Sequence, residues 1–292
     1  MIFVVAPRDL VVGAKSTIEA EIMRELLSLA SRLAHQAGEL TQAIWQQARG
    51  EVTTKTTPTD VVTAADRAAE RLIVDAIIQA RPEDGVLGEE GGHRESRSGL
   101  RWVIDPIDGT VNYLYGHPHY AISIAVERYG EPVVGVVRNP ATGEQWHAVT
   151  GEGAWRDGRR LKCASPTGLG KALIATGFGY DARRRAHQGT VVAELLPQVR
   201  DIRRAGTCAL DLCFVAEGRL DGYYEQGCQR WDAAAGSLIV SEAGGRVTGL
   251  RGEPFGPRMI LAAGGAVYSQ LHDALVTAGA DYDPLAATVT RE

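Results

Sequence analysis

The run Val103-Ile104-Asp105-Pro106-Ile107-Asp108-Gly109-Thr110-Val111-Asn112 constrains this chain more than any other stretch. Two carboxylates stand three residues apart, where a strand-like run from Leu100 to Ile104 gives way to a tight turn. Pro106 disfavours the helical conformation for the residue before it, so Asp105 is expected at the extended end of the strand. Gly109 allows a backbone conformation that other residues resist, and it lets a ligand approach its N–H. Thr110 is placed to cap the segment that follows. Two hard oxygen ligands beside a turn with free N–H groups suit a divalent cation that holds a phosphate.

Around this run the chain divides into two halves. From about Glu19 to Gln47 apolar residues recur at helical spacing, among them Leu26, Leu33, Ala37 and Ile44. A polar segment, 53–59, precedes Asp60, which is expected to open a second helix that Pro82 ends. Ala121 to Val126, a turn at 129–132 and Val133 to Val137 read as an antiparallel hairpin, and 151–158 as another. After Pro166 strand candidates at 172–176, 201–204, 221–226 and 259–263 alternate with helical stretches at 187–198, 207–217 and 232–243. Such alternation argues for an α/β layer. The expected organisation is a tail at 1–17, an α+β half at 18–164, an α/β half at 165–285 and a tail at 286–292.

Composition excludes several classes. A length of 292 residues suggests about two domains or two halves of one unit. The net charge of −5 carries no basic signature of general nucleic-acid binding. No apolar run reaches the ~20 residues needed to span a membrane. The four cysteines (163, 208, 213 and 228) form no C-x-x-C pair and read as reduced thiols of a cytoplasmic protein. Phosphate-loop, zinc-protease and nucleophile-elbow motifs are absent from the sequence.

Three more acidic sites compete between structural and chemical readings. Glu89 and Glu90, flanked by Gly88, Gly91 and Gly92, form either a solvated loop or a ligand with its neighbour beside it. Asp232 follows Trp231 at the start of a helix and is either an N-cap or a ligand. Asp66 falls inside the second helix, where an isolated Asp is usually solvated. His117 and His119 flank Pro118 and lack zinc-site partners, and Arg183 to Arg185 read as a solvated loop, with guidance of anionic substrates or a partner as the alternative.

Taken together, these pieces resemble the inositol monophosphatase family of Mg²⁺-dependent, lithium-sensitive phosphatases. The matching elements are Lys55, Asp60 and Asp66, then Gly88-Glu89-Glu90, the run from Asp105 to Thr110, Gly206-Thr207-Cys208, Glu225 and Trp231-Asp232, in that order. The resemblance implies a layered αβαβα sandwich, commonly a homodimer. It implies that Glu89, Asp105 and the Ile107 carbonyl hold one Mg²⁺, that Asp105, Asp108 and Asp232 hold a second, and that a weaker third ion sits near Glu89. Four crowded carboxylates would repel one another without cations. The implied reaction is in-line attack on phosphorus by water that the metals hold, with no phospho-enzyme. Thr110, hydrogen-bonded to Asp66, would orient and help deprotonate that water, with Glu90 as a second candidate. The N–H groups of Gly109 and Thr110 would hold the phosphate, and Lys55 would lie in a mobile loop that closes over the metals.

Specificity is expected from the second half. In inositol-directed members a glutamate at the position of Glu225 accepts hydrogen bonds from ring hydroxyls, and Gly206, Thr207 and Cys208 would contact the sugar alcohol beside Asp108 and Asp232. Cys208 departs from the small alanine common there. The expected substrate is a small phosphorylated polyol, inositol-1-phosphate first, with histidinol phosphate or a broader sugar or nucleotide phosphate as the alternative. A reading of another class is an accessory protein of the transcription machinery, as some bacterial members are.

Overall fold

The computed structural model describes residues 8–48, 52–54, 61–164 and 168–285. Helix α1 (Arg8–Ala48) leads to a short antiparallel ribbon, β1 (Val52–Thr54) and β2 (Val61–Thr63), and then to α2 (Ala64–Ala80). α1 starts about ten residues before the periodicity predicts, so 8–17 of the expected tail are helical. Its remainder, 1–7, the C-terminal tail 286–292, Lys55 and Asp60 lie outside the described residues. α2 opens at Ala64 and ends at Ala80, two residues before Pro82.

The first sheet is built from β3 (Gly85–Gly88), β4 (His93–Arg94), β5 (Leu100–Asp108), β6 (Ala121–Arg128), β7 (Glu131–Arg138), β8 (Gln145–Val149), β9 (Gly153–Arg156) and β10 (Arg159–Arg160). Its spatial order is β10-β9-β8-β7-β6-β5-β3-β4. β3 and β5 pair in parallel, and the other neighbours are antiparallel. The short helix α3 (Thr110–Tyr115) sits between β5 and β6.

A second sheet follows, from β11 (Leu173–Thr176), β12 (Asp201–Arg203), β13 (Gly222–Glu225), β14 (Gly245–Thr248) and β15 (Ile260–Gly264), in the order β12-β11-β13-β15-β14. β12, β11 and β13 run parallel, as the βα alternation predicts, while β15 and β14 run antiparallel to their neighbours. Helices α4 (Ala182–Leu195), α5 (Cys208–Glu217), α6 (Arg230–Glu242) and α7 (Gly265–Thr277) complete the chain. β14 and α7 have no counterpart among the sequence expectations. Arg183 to Arg185 open α4 rather than a loop, and Arg184 pairs with Asp283 at 2.7 Å.

Alternation along the strands decides the layers. Trp102, Ile104, Ile122, Ile124 and Val136 face α1 and α2. Val103, Ala125, Val137 and Trp146 point the other way, onto α5 and α6. The far side of those helices packs on Ala175, Tyr223 and Ala262 of the second sheet, whose opposite face, with Ile174, Leu261 and Ala263, is covered by α4 and α7. The order is therefore αβαβα. Small residues make the middle layer tight: a Cβ at Gly135 would come within 2.8 Å of the Ala235 carbonyl, and one at Gly236 within 2.7 Å of Leu212. Among the described residues no helix is long and apolar enough to cross a membrane.

Candidate functional site

β5 does not stop at Ile104. It continues to Asp108 through a bulge, because Asp105 pairs with Ser123 and Asp108 with Ala121, so that Pro106 and Ile107 together face Ile122. In a regular strand residues three apart point to opposite faces. The extra residue brings both carboxylates to the same side. The Ile107 N–H donates to Asp105 Oδ1 at 3.1 Å and braces the bulge. The N-cap of α3 is Gly109, not Thr110, with φ 89° and ψ 38°. A Cβ there would stand 3.1 Å from the His119 carbonyl and 3.2 Å from that of Gly206, so glycine is required twice over. The Thr110 hydroxyl lies 3.1 Å from Asp66 Oδ1 and 3.1 Å from the Ile107 carbonyl. Asp66 is fully buried in the first turn of α2 rather than solvated.

The other carboxylates arrive from the neighbouring strand of the same sheet and from the two layers beyond it. Glu89 and Glu90 follow β3, and the Glu89 N–H donates to the Ile104 carbonyl at 3.2 Å. Asp108 Oδ2 accepts from Thr207 Oγ1 and, at 2.7 Å, from the Ala209 N–H at the start of α5. Thr207 is the N-cap of that helix. Asp232 is the third residue of α6 and not its cap, and its Oδ2 accepts the Gln229 N–H at 2.7 Å. Glu225 ends β13, and Tyr223 Oη donates to its Oε2 at 2.8 Å. A Cβ at Gly177 would collide with the Glu225 carboxylate, so the bare glycine makes room for it.

Glu89, Asp105, Ile107, Asp108, Gly109, Thr110, Gly206, Thr207, Cys208, Glu225 and Asp232 line one cavity of about 680 Å³. Phe178, Tyr180, Arg184 and Arg204 extend its wall; the sequence singled out Arg184 within the 183–185 run but none of the other three. Arg204 was two residues from Gly206 in the chain, but nothing in the pattern marks Phe178 or Tyr180. Sequence reasoning also missed Glu70. Its carboxylate accepts the N–H groups of Glu90 at 2.7 Å and Gly92 at 2.8 Å. The glycines beside Glu89 and Glu90 have a structural purpose: a Cβ at Gly88 would collide with Glu70. The signal available was the spacing of Glu70 from Asp66, one turn along the same helix face.

Electrostatics at the site run against four of the carboxylates, each of which is raised on balance. Burial, then repulsion from Glu89, Asp108 and Asp232, holds the Asp105 carboxyl well above the ordinary range. Burial and the charges of Asp108 and Glu89 do the same to Asp232. Asp108 is pushed up to about 7, chiefly by burial, although the Thr207 hydroxyl and Ala209 N–H pull it down. Glu225 is raised by burial and lowered by Tyr223 and Arg204.

The donor set suits a hard divalent cation: four carboxylates and a carbonyl, from β5, the end of β3 and α6, facing one cavity. Burial also holds the thiol of Cys208, in the same wall, well above its usual value, and a sulfur ligand suits softer ions than this oxygen-rich set does. Asp105 lies within hydrogen-bonding reach of both Glu89 and Asp232. Among the described residues no trio of acidic, histidine or cysteine side chains already surrounds a single point. Ligation would exchange these carboxylate contacts for oxygen–cation contacts by side-chain rotation, which also removes the repulsion.

Comparison with known proteins adds independent weight. The model of the inositol monophosphatase family matches residues 22–282. The inositol-1-monophosphatase SuhB of Mycobacterium tuberculosis (strain ATCC 25618 / H37Rv) is 48% identical over 207 residues, spanning 68% of this chain and 71% of that protein. The Nus factor SuhB of Escherichia coli (strain K12) is 39% identical over 232 residues, spanning 79% and 87%. The solved structure of an inositol monophosphatase from Anabaena (Nostoc) sp. PCC 7120 superposes with a TM-score of 0.78 at 34% identity, covering 90% of this chain and 98% of that one.

Proposed function

The chain belongs to the inositol monophosphatase family, and from that premise we infer that it is a Mg²⁺-dependent phosphomonoesterase acting on inositol-1-phosphate. The observation that carries this reading is the meeting of Glu89, Asp105, Asp108 and Asp232 in the cavity that Glu225 also lines. Glu89, Asp105 and the Ile107 carbonyl would hold one cation, and Asp105, Asp108 and Asp232 another. When bound, Mg²⁺ supplies a clamp for phosphate oxygens and a lowered pKa for coordinated water. Asp66 accepts the hydrogen bond of the Thr110 hydroxyl, which leaves the Thr110 oxygen lone pairs to accept a hydrogen bond from water; as that water loses its proton to Thr110, the Thr110 proton would pass to Asp66. The N–H groups of Gly109 and Thr110 line the approach of the phosphate. Glu225, fixed by Tyr223, accepts hydroxyl groups of the polyol.

The direct test is phosphate release from a panel of phosphomonoesters, with Mg²⁺ omitted and with lithium added. Activity that survives chelation would sink the metal assignment. Turnover of histidinol phosphate above inositol-1-phosphate would move the substrate assignment to the alternative. For Glu225→Gln, loss of a hydrogen bond to a charged group is worth about 1.5–3 kcal/mol, or about 10–100-fold in kcat/KM on inositol-1-phosphate. A phosphomonoester without ring hydroxyls should lose far less.

A pH effect on stability follows from the same carboxylates. Their folded-state pKa values lie above the unfolded values, so the native protein binds more protons across the interval between the two. Stability of the chelator-treated protein therefore falls as pH rises, from about 4 to about 7 for Asp108. The loss is on the order of a few kcal/mol, and about 5–10 °C in Tm for a chain of this size. Millimolar Mg²⁺, which favours the ionised forms, should raise Tm more at about pH 8 than at about pH 5. Thermal melts at both pH values, with and without the ion, check this; equal Mg²⁺ shifts would refute it.

Similarity to proteins named Nus factor SuhB favours a second role, docking on the transcription machinery independently of catalysis. A pulldown with Asp105→Asn tests it, because binding that needs no catalysis is retained in that variant. Homodimerisation is part of the same proposal and is read by light scattering.

A further inference from the structure

Glu70 lies on α2, one turn after Asp66, and is 5% exposed. A helical step of four residues places the two carboxylates about 6 Å apart along the axis, on the same face. Asp66 holds the Thr110 hydroxyl, on the segment that leaves β5. Glu70 holds the N–H groups of Glu90 and Gly92, on the loop that leaves β3. That loop is closed on itself by the Gly88 N–H donating to the Gly92 carbonyl at 2.6 Å. Ala65, Ala69, Ile73 and Ile77 of α2 are fully buried against the first sheet, so the helix is a fixed support.

The room for this contact is built into the loop. A Cβ at Gly88 would overlap the Glu70 carboxylate, and one at Gly92 would stand 3.1 Å from Glu70 Oε1. Gly91 has φ 113°, which turns the chain so that the N–H groups on either side of it reach the same carboxylate. Two glycines, one left-handed glycine and one buried acid thus form a single device.

We propose that Glu70 is a positioning residue for the reaction inferred above, and that α2 acts as a ruler between the two groups that compete to activate water. Through Asp66 it places Thr110, and through Glu70 it places the loop bearing Glu89 and Glu90. The inference rests on the phosphatase reading for its chemical consequence and on geometry alone for the clamp. Residues that orient ligands from behind typically cost roughly 10–100-fold in metal affinity or activity when removed.

The test compares Glu70→Ala, Glu70→Gln and Gly88→Ala with Ile73→Val, a buried α2 variant that weakens packing without touching the clamp. In the metal-free proteins, hydrogen exchange over 88–93 should speed up at least about tenfold in Glu70→Ala and Gly88→Ala, as expected when a protecting hydrogen bond is lost. It should change little in Ile73→Val. Glu70→Gln keeps one acceptor oxygen and should fall between. Mn²⁺ binding followed by electron paramagnetic resonance, and the Mg²⁺ half-saturation of phosphate release, should weaken roughly 10–100-fold in the same order. KM for the phosphomonoester at saturating Mg²⁺ should move less than kcat. Wild-type exchange at 88–93 in a folded Glu70→Ala would overturn the clamp. Faster exchange with metal binding and kcat no different from Ile73→Val would overturn its role in the reaction. Absence of Mg²⁺-dependent turnover in the wild type would instead defeat the phosphatase reading, with exchange and Mn²⁺ binding still deciding the clamp.

Discussion

Asp105→Asn is expected to lower phosphate release about 10³–10⁴-fold while leaving the protein folded. The carboxylate would bridge two cations, whose stabilisation of the transition state is worth several kcal/mol, and each ~1.4 kcal/mol is a factor of ten in rate. The fold survives because the amide oxygen of asparagine can still accept the Ile107 N–H that braces the bulge. Removing the charge also relieves the repulsion that Glu89, Asp108 and Asp232 exert on Asp105. The variant should therefore melt higher than wild type in chelator at neutral pH, and gain less from Mg²⁺. Phosphate release and thermal melts on the same preparation read both effects. More than a tenth of wild-type activity in Asp105→Asn would rule out the bridging role.

Thr110→Ala is the second large effect, a loss of about 10²–10⁴-fold in kcat, the range for removing a group that moves a proton in the transition state. The hydroxyl has one proton and two acceptors at 3.1 Å, Asp66 Oδ1 and the Ile107 carbonyl. If the carbonyl is engaged by a cation, the proton goes to Asp66 and the Thr110 oxygen is left to accept from water. Thr110→Ser should keep most of the activity, because the hydroxyl is retained. Glu90→Gln is the discriminating partner. A loss below tenfold in Thr110→Ala, together with a large loss in Glu90→Gln, would transfer the role to Glu90. In either case Mg²⁺ half-saturation should move less than kcat.

How much of this was legible in the chain varies by residue. The hairpin at 121–137, the α/β alternation after 166 and the carboxylates of the opening run are local patterns, and periodicity or turn chemistry exposes them directly. Asp232 was visible as an acid at a helix start, but its place as third residue rather than cap depends on Gln229 turning back over it. Asp66 and Glu70 look like solvated helix positions, since nothing in the sequence places β5 and the 88–92 loop over that face of α2. Phe178, Tyr180 and Arg204 reach the cavity only because the second sheet is docked on α5 and α6. These are contacts across layers, with separations along the chain that no window of periodicity spans.

The sequence by itself determined which groups are available: an Asp-Pro-Ile-Asp-Gly-Thr run, an acidic pair among glycines, an acid after Trp231, and a chain whose apolar periods demand layers. Tertiary structure alone decided that they meet. The bulge in β5 turns Asp105 and Asp108 to one side. The alanine-rich α6 approaches the first sheet closely enough to deliver Asp232. One face of α2 holds both Thr110 and the Glu89 loop. The physical reason is the same in each case: like charges gather only where burial of apolar surface on several layers outweighs their repulsion, and that balance is a property of the packed whole.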